Sequence, residues 1–196
     1  MLNDQAFDTI FRTARSHNGW QNRPVTDAQI RAVYDLMKWG PTSANCSPAR
    51  IVFLRTPAAK ERLVPALSAS NVDKVRTAPV VAIIAHDLRF YDLIPKLFPH
   101  NPGARDWFAG EDNKAVAETT AFRNAVLQGA YLMIAARALG LDCGPMSGID
   151  TAKIDAEFFA GTNIRTNFIT GIGYGDPAKI FKRSPRLSFE EACTLL

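Results

Sequence analysis

Apolar residues recur along this chain with two periods, and each period predicts one kind of secondary structure. Ala6, Ile10 and Ala14 fall at helical spacing and predict a first helix of roughly three turns. The segment Thr26-Asp27-Ala28-Gln29 matches a capping box, so a second amphipathic helix is predicted to begin there. Thr56-Pro57 predicts the start of another helix, because proline suits the first helical position.

Three apolar runs predict strands. Arg50 to Arg55 brackets Ile51-Val52-Phe53-Leu54 and is typical of a buried strand. Pro79 to Ala85 is apolar throughout, as expected of a central strand that is covered on both faces. Asn167 to Gly175 predicts the last strand.

The second half of the chain is dominated by one long helical segment, from about Asp112 to Leu139. Gly140 is suited to end that helix, because glycine readily adopts the left-handed conformation of a helix terminus. Several polar residues interrupt the apolar face, which indicates a core helix rather than one facing lipid and suits a core shared by two protomers: Glu118, Arg123, Asn124, Gln128 and Arg137.

Two further segments have recognisable composition or motifs. Phe90 to Gly110 is rich in proline, glycine and aromatic residues and resembles an excursion or lid. Ser188-Phe189-Glu190-Glu191 is a second capping box and predicts a terminal helix. Because helices outnumber strands and the strands are scattered among them, the predicted class is α+β.

Composition indicates one globular domain, residues 1–196, with 47% hydrophobic and 21% charged residues. We expect no membrane span, because no apolar stretch of about eighteen residues is free of charge. The first residues, Met1 to Asp4, lack the basic and apolar regions of a secretory signal. The three cysteines are widely spaced and odd in number, which indicates reduced thiols in a cytoplasmic protein.

The net charge of +4 is mild, and no basic stripe interleaved with aromatic residues is visible, so we expect no nucleic-acid partner. One late cluster of basic residues fits either a small phosphorylated cofactor or a solvated charged face: Lys179, Lys182, Arg183 and Arg186.

The segment between the second helix and the first strand carries the strongest chemical signal. Gly40-Pro41 ends the helix, because proline lacks an amide hydrogen and its ring clashes with the preceding turn. Small and polar residues then fill the loop up to a second proline, Pro48: Thr42, Ser43, Ala44, Asn45, Cys46 and Ser47. A mere connection needs fewer residues. This composition suggests a rigid wall around a flat ligand with polar edges.

Two other groups of residues could bind such a ligand. Arg15-Ser16 follows the first helix, where arginine and a hydroxyl could hold a phosphate, or the arginine could simply complement the helix dipole. Asn71 and Lys74 lie one helical turn apart and share a face, which is either part of a site or an ordinary surface turn.

Three other motifs have weaker support. Gly171 to Gly175 lacks the spacing of a dinucleotide-binding loop and does not lead into a helix. Cys46 paired with His17 or His86 could serve as the nucleophile of a cysteine hydrolase, but it has no local signature of activation. The three histidines are scattered in no metal-binding pattern, so no metal is expected.

Six blocks of the sequence, in order along the chain, are similar to the FMN-dependent nitroreductase family. Pro41-Thr42-Ser43-Ala44-Asn45 followed by Pro48 resembles the flavin-contact loop of that family. The other blocks, taken with it, resemble the malonic semialdehyde reductase subgroup over essentially the whole chain: His17 to Trp20, Phe98 to His100, Glu118 to Asn124, Ala138 to Gly148 and Pro185 to Ala192.

The resemblance implies an FMN-binding fold with a mostly antiparallel central sheet wrapped by helices around a long core helix, in an intertwined homodimer. Lys74 would lie near flavin N1 and O2, and Asn71 would touch the ribityl chain or the ring edge. The backbone at Ser147-Gly148 would donate a hydrogen bond to flavin N5. The implied FMN ligands in full are Arg15, Ser16, Pro41, Thr42, Ser43, Asn45, Asn71, Lys74, Pro145, Met146, Ser147, Gly148, Arg183 and Arg186, with Pro41–Asn45 supplied by the partner subunit.

Within these ligands the resemblance assigns the FMN phosphate to Arg15, Ser16 and Arg186, with Arg183 as a weaker candidate. Two positions that are basic in the family are Asn18 and Ser184 in this chain. The implied activity needs no catalytic side chain, because hydride passes from NADH or NADPH to flavin N5 and then to a small acceptor.

By resemblance the acceptor is malonic semialdehyde, reduced to 3-hydroxypropanoate in a ping-pong reaction. Two alternatives stay open, a broad-specificity nitroreductase or quinone reductase and a flavin-binding module without turnover, in addition to the cysteine hydrolase above.

Overall fold

A four-stranded antiparallel sheet lies at the centre of the computed structural model, which describes residues 1–196. The strands are β1 (Ala49–Leu54), β2 (Val80–Asp87), β3 (Asp142–Met146) and β4 (Ile164–Gly173), in the spatial order β1-β2-β4-β3. The central strands β2 and β4 are largely buried, and β1 and β3 form the two edges.

The α+β prediction and the three predicted strands are confirmed, but β3 was not predicted. The sequence of β3 contains Gly144 and Pro145, both of which weaken a strand assignment from sequence alone. Proline is tolerated here because β3 is an edge strand, and β4 is the one strand of the sheet that pairs along it. Pro145 and Met146, two of the implied FMN ligands, therefore lie in this strand.

Eight helices surround the sheet. They are α1 (Asp4–Phe7), which continues as a π-helical turn (Asp8–Arg12), and α2 (Asp27–Met37), α3 (Pro57–Leu63), α4 (Ala69–Thr77), α5 (Ile94–Leu97), α6 (Lys114–Ala138), α7 (Thr151–Phe158) and α8 (Phe189–Ala192). Both predicted capping boxes are present, at Thr26 with Gln29 and at Ser188 with Glu191. None of these helices combines the length and the apolar character needed to cross a membrane.

The alternation of side chains along β2 divides the core into two layers. Val80, Ala82 and Ile84 belong to a cluster with residues of α2 and α6, whereas Val81 and Ile83 pack with residues of α3, α4 and α7. All five side chains are fully buried. Helices therefore cover both faces of the sheet, which explains why β2 reads as one continuous apolar run.

The stretch from Phe90 to Gly110 has its own buried core. Phe90, Ile94 and Ala104 are fully buried and pack with Phe108 against residues of α6. This packing differs from the predicted lid, because a mobile lid makes few buried apolar contacts with the rest of the protein. The segment is a third layer fixed against the start of α6.

Helix α6 differs from the prediction in how it uses its polar residues. Gly140 ends it with a φ of 76°, as predicted. Asn124 and Gln128, however, are buried and bond to the segment Ser43–Ala49 of the same chain. They are satisfied without a second protomer. The outward side of α6 is instead mostly apolar and exposed, at Val116, Phe122, Val126, Leu127 and Tyr131.

Candidate functional site

The loop Gly40–Pro48 and the first residue of β1 are held by hydrogen bonds to α6 and α5. The Ser43 amide donates to Oδ1 of Asn124 at 2.9 Å, and the Ala49 amide donates to Oε1 of Gln128 at 2.8 Å. Asn45 Nδ2 donates to the carbonyl of Leu97 at 2.7 Å. At the start of the loop, a Cβ on Gly40 would come within 2.6 Å of the Tyr131 ring, so glycine is required for this approach. The loop is therefore held in one shape.

The backbone of this loop is strained. Ala44, Asn45 and Ser47 have φ angles of 48°, 47° and 39°. Residues other than glycine avoid this region, at a cost of about 1–2 kcal/mol for a residue such as alanine. Strain of this kind persists where surrounding contacts impose it, and it is concentrated at functional sites. The exposed side chains of Pro41, Ser43 and Asn45 make this rigid loop available to a ligand.

The segment after α1 lies against the edge strand β3. Ser16 pairs with Cys143 in an isolated parallel bridge, and the His17 amide donates to the Cys143 carbonyl at 3.0 Å. Gly144 permits this contact, because a Cβ there would lie 2.3 Å from the His17 carbonyl oxygen. The side chain of Ser16 is left exposed beside the arginine that precedes it.

A buried histidine and a carboxylate fix this segment. His17 Nε2 lies 3.3 Å from Oδ1 of Asp142, whose Oδ2 accepts the Gly175 amide at 2.8 Å. The sequence marks His17 as a possible base, a possible metal ligand and part of a family block, but it carries no signal that pairs His17 with Asp142. No local pattern joins these residues, since they meet only when β3 and the end of β4 come together.

The two ends of the chain meet beside Ser16. The Arg15 guanidinium donates to the Phe181 carbonyl, and Arg183 Nη2 donates to the Ala14 carbonyl at 2.9 Å. Arg186 bonds instead to carbonyls of its own segment, those of Ser184 and Pro185. Within one chain, Arg183 thus bonds to the residue before Arg15, whereas Arg186 makes no hydrogen bond to that segment and bonds to its own. All residues from 181 to 196 are exposed.

Asn71 is hydrogen-bonded to the segment Ser147-Gly148. Asn71 is buried, and its Nδ2 donates to the Gly148 carbonyl at 3.1 Å. The Ser68 amide donates to the same carbonyl at 3.0 Å. Both residues stand at the start of α4, which therefore holds the Ser147-Gly148 backbone in place. The structure thus brings together Asn71 and Gly148, two of the residues that the resemblance implies as FMN ligands.

Lys74 lies one turn further along α4, as the spacing predicted. Its carbonyl accepts the indole N–H of Trp20 at 3.1 Å, which connects α4 to the segment after Ser16. The Lys74 side chain is half-buried and its ammonium group makes no hydrogen bond or ion pair within the chain. This leaves one cation available to a ligand next to Asn71.

The predicted site residues thus form two groups at different edges of the sheet. The Pro41–Asn45 loop leads into β1, at one edge, whereas Arg15, Ser16 and the 145–148 segment adjoin β3, at the other. Three strand spacings separate the edges, roughly 14 Å. One chain does not bring the two groups into a single site.

Comparison with known proteins agrees with this architecture. The sequence profile described as the nitroreductase family matches residues 12–174. The chain belongs to the nitroreductase family. It is 64% identical over 187 residues to the NADH dehydrogenase/NAD(P)H nitroreductase HadB of Ralstonia pickettii, with 95% of each chain covered. It is 60% identical over 195 residues to the NADH dehydrogenase/NAD(P)H nitroreductase Reut_A1586 of Cupriavidus pinatubonensis, with 100% of each chain covered.

Solved structures of more distant proteins share the fold. The nitroreductase ydfN of Bacillus subtilis superposes with a TM-score of 0.89 at 19% identity, over 99% of this chain and 100% of that one. A nitroreductase of Exiguobacterium sibiricum in complex with FMN gives 0.87 at 18% identity, over 100% of this chain and 99% of that one. The nitroreductase-like fold predicted from the sequence is confirmed.

The cysteines do not have the properties of nucleophiles. Burial raises the pKa of the Cys46 thiol to about 11 and that of Cys143 to about 12. Near neutral pH both are therefore protonated, whereas a nucleophilic cysteine needs its thiolate. The structure offers no support for the cysteine hydrolase alternative in this member of the nitroreductase family.

The donor set near β3 fits FMN, the cofactor that the resemblance implies. A phosphate would meet the guanidinium groups of Arg15 and Arg183 and the exposed hydroxyl of Ser16. The unpaired Lys74 ammonium and the Asn71 side chain offer polar contacts for a ring edge. These groups are of the type a flat, phosphorylated, hydrogen-bonding molecule requires.

Proposed function

We propose that this chain is an FMN-dependent oxidoreductase that takes reducing equivalents from NADH or NADPH and passes them to malonic semialdehyde, forming 3-hydroxypropanoate. The coarser part of this statement follows from the family. Relatives that are 60–64% identical over nearly the whole chain are named NADH dehydrogenase/NAD(P)H nitroreductase. The chain is an NAD(P)H-dependent flavin oxidoreductase.

The observation that carries the proposal is the group of polar residues near β3. Arg15 and Ser16 lie on the segment that pairs with β3. Trp20 of that segment bonds to α4, which carries Asn71 and Lys74.

When bound, FMN supplies the hydride chemistry by accepting two electrons from the nicotinamide and giving them to the acceptor. Lys74 would hold a positive charge where negative charge accumulates on reduction, and so favour the reduced cofactor. Gly148 and its neighbour Ser147 would present backbone to the ring.

The protein residues in this proposal bind and orient; they form no covalent bond to the substrate. Arg15, Ser16 and Arg183 or Arg186 would neutralise the phosphate. The Pro41–Asn45 loop would form the far wall of the site. Holding two reactants in reacting geometry is itself a large part of catalysis, and the fixed shape of this loop suits that task.

We propose further that the active unit is a homodimer in which Pro41–Asn45 of one subunit completes the site of the other. Two observations support it. The two groups of site residues lie at opposite edges of the sheet. The outer side of α6 also exposes a row of large apolar side chains beside that loop. Contiguous exposed apolar surface of this kind marks interaction sites.

A second candidate acceptor has specific support. The relatives' names include nitroreductase and NADH dehydrogenase, which favours a nitroaromatic or quinone acceptor. Malonic semialdehyde is supported by the sequence blocks from His17 to Ala192. The two candidates share the reduction of the flavin by NADH or NADPH and differ only in the acceptor that reoxidises it.

The absorption spectrum of the purified protein tests the proposal. We expect a flavin spectrum that is bleached anaerobically by NADH or NADPH and recovers on addition of malonic semialdehyde. Recovery with p-benzoquinone or a nitroaromatic but not with the aldehyde would favour the second candidate. A bound flavin that neither nucleotide bleaches would indicate a binding module without turnover. Sedimentation of a monomer that retains FMN would contradict the shared site.

A further inference from the structure

One charged residue stands on an otherwise uncharged stretch of α6. Between Thr119 and Tyr131 the helix contains a single ionisable group with a full charge at neutral pH, the guanidinium of Arg123. Arg123 is exposed, and so are the apolar side chains of Phe122, Val126 and Leu127 around it. The position is therefore a cation within the apolar surface that we assign to the dimer interface.

Arg123 has no partner within the chain. It makes no hydrogen bond, no ion pair and no stacking contact with an aromatic ring. Residues three and four positions away, which are its neighbours on a helix, include no carboxylate. Arg31 on α2 is also exposed and without a bond, but Asp27 and Asp35 stand four residues to either side of it.

Arg123 lies next to the residues that fasten the candidate loop. Asn124 accepts the Ser43 amide at 2.9 Å and donates to the Thr120 carbonyl at 2.8 Å. Thr120, Arg123 and Leu127 follow one another at three- and four-residue spacing, so they form one ridge of the helix. The loop is therefore fastened to the turn of α6 that carries Arg123, so a partner subunit that meets the loop also meets this turn.

In the proposed dimer, the surroundings of Arg123 change. If the loop covers the cofactor of the partner subunit, Arg123 leaves bulk water, and a buried charge without a partner is strongly unfavourable. It then needs an anionic partner, which a carboxylate on the acceptor would supply. A guanidinium fork matches a carboxylate better than any other side chain does.

We infer that Arg123 is the substrate-binding residue that recognises the carboxylate of the acceptor and so selects an acidic aldehyde over a neutral one. This inference rests on the proposed function, because it takes the homodimer and the flavin reaction from there. It adds the residue and the chemical class of the acceptor: a small aldehyde that carries a carboxylate.

Arg123→Gln, Arg123→Lys and the control Arg31→Gln test it in the holoenzyme. For Arg123→Gln we expect kcat/KM with malonic semialdehyde to fall about 10- to 150-fold, the range for loss of a charge-assisted hydrogen bond. Turnover with p-benzoquinone and the rate of flavin bleaching by NADH should stay within about twofold. Arg123→Lys should recover part of the loss, since it restores charge without the fork. Arg31→Gln should behave as the natural protein does.

A second measurement does not depend on turnover. Calorimetric titration of the oxidised holoenzyme with 3-hydroxypropanoate should show binding that weakens about 10- to 150-fold in Arg123→Gln and is unchanged in Arg31→Gln. Equal losses with the aldehyde and the quinone, or dissociation of the dimer in Arg123→Gln, would assign Arg123 a structural role and overturn the inference. If neither nucleotide bleaches the natural protein, the proposed function fails, while the titration still decides whether Arg123 binds a carboxylate.

Discussion

Replacing Gly148 by alanine should weaken cofactor binding while leaving the protein folded. An added Cβ would lie 2.8 Å from Oγ of Ser68 and 3.0 Å from Nδ2 of Asn71. Both distances are shorter than ordinary van der Waals contact, so neighbouring atoms must move. The φ angle of Gly148 is not among the positive ones, so the substitution adds no backbone strain.

The two contacts differ in how easily they give way. Ser68 is exposed and can rotate its hydroxyl, which makes relief at that atom cheap. Asn71 is buried and donates to the Gly148 carbonyl itself, so displacing it weakens a bond with a net value of about 0.5–1.5 kcal/mol. Together with mild overpacking we expect a loss of about 1–2 kcal/mol. That loss corresponds to a rise of roughly 5- to 30-fold in the Kd for FMN.

Fluorescence titration of the flavin-free protein with FMN measures this Kd, and thermal unfolding checks the fold. Gly103→Ala is the matched control, because a Cβ there meets nothing closer than Oδ1 of Asn101 at 3.7 Å. Its FMN affinity should be unchanged. If Gly148→Ala binds FMN as tightly as the control does, Asn71 and Gly148 do not border the cofactor, and the site must be placed elsewhere.

The remaining predictions concern the charges and thiols of the site. Arg15→Ala and Arg183→Ala should each raise the Kd for FMN at least about tenfold, measured by the same titration, because each removes a charge-assisted phosphate contact; unchanged affinity in both would remove the phosphate assignment. Lys74→Met should lower the two-electron potential of the bound flavin in spectroelectrochemistry and slow its reduction, since no cation then offsets the added negative charge; an unaltered potential would make Lys74 a surface lysine. Iodoacetamide near neutral pH should label the exposed Cys193 and spare Cys46, whose raised pKa keeps it protonated, as mass spectrometry of the native protein can determine; loss of activity on labelling of Cys46 would contradict this.

Most of the fold could be predicted because its largest elements carry strong local signals. The apolar run of β2 follows from burial on both faces of the sheet, and α6 is an unbroken helical segment from Lys114 to Ala138 that glycine ends at position 140. Both capping boxes fixed helix starts to the residue, since each depends on two side chains three positions apart. β3 escaped prediction because its identity as a strand comes from pairing with β4, a contact that no local pattern encodes.

The candidate site could be predicted only in part, for a related reason. Asn71 and Lys74 share a short helix, so their spacing sufficed to group them. The contact between the Arg183 segment and the Arg15 segment depends on the path of the exposed C-terminal segment. That segment has no hydrophobic periodicity from which its path could be predicted. The support that His17 receives from Asp142 likewise depends on a tertiary contact.

The polar residues of α6 do not support a dimer in the way that the sequence predicts, which is as part of a core shared by two protomers. Asn124 and Gln128 bond to the loop before β1 of the same chain, so their polarity is explained without a partner. A single chain does not explain why α6 exposes large apolar side chains, nor why the helix holds a strained loop in position. Backbone strain is usually retained at functional sites, and exposed apolar patches usually mark interfaces. Both features of this region are explained if dimer formation brings the strained loop to a ligand. The apolar face of α6 and the strain of Ala44, Asn45 and Ser47 therefore support a shared site, in addition to the separation of the two residue groups at opposite edges of the sheet.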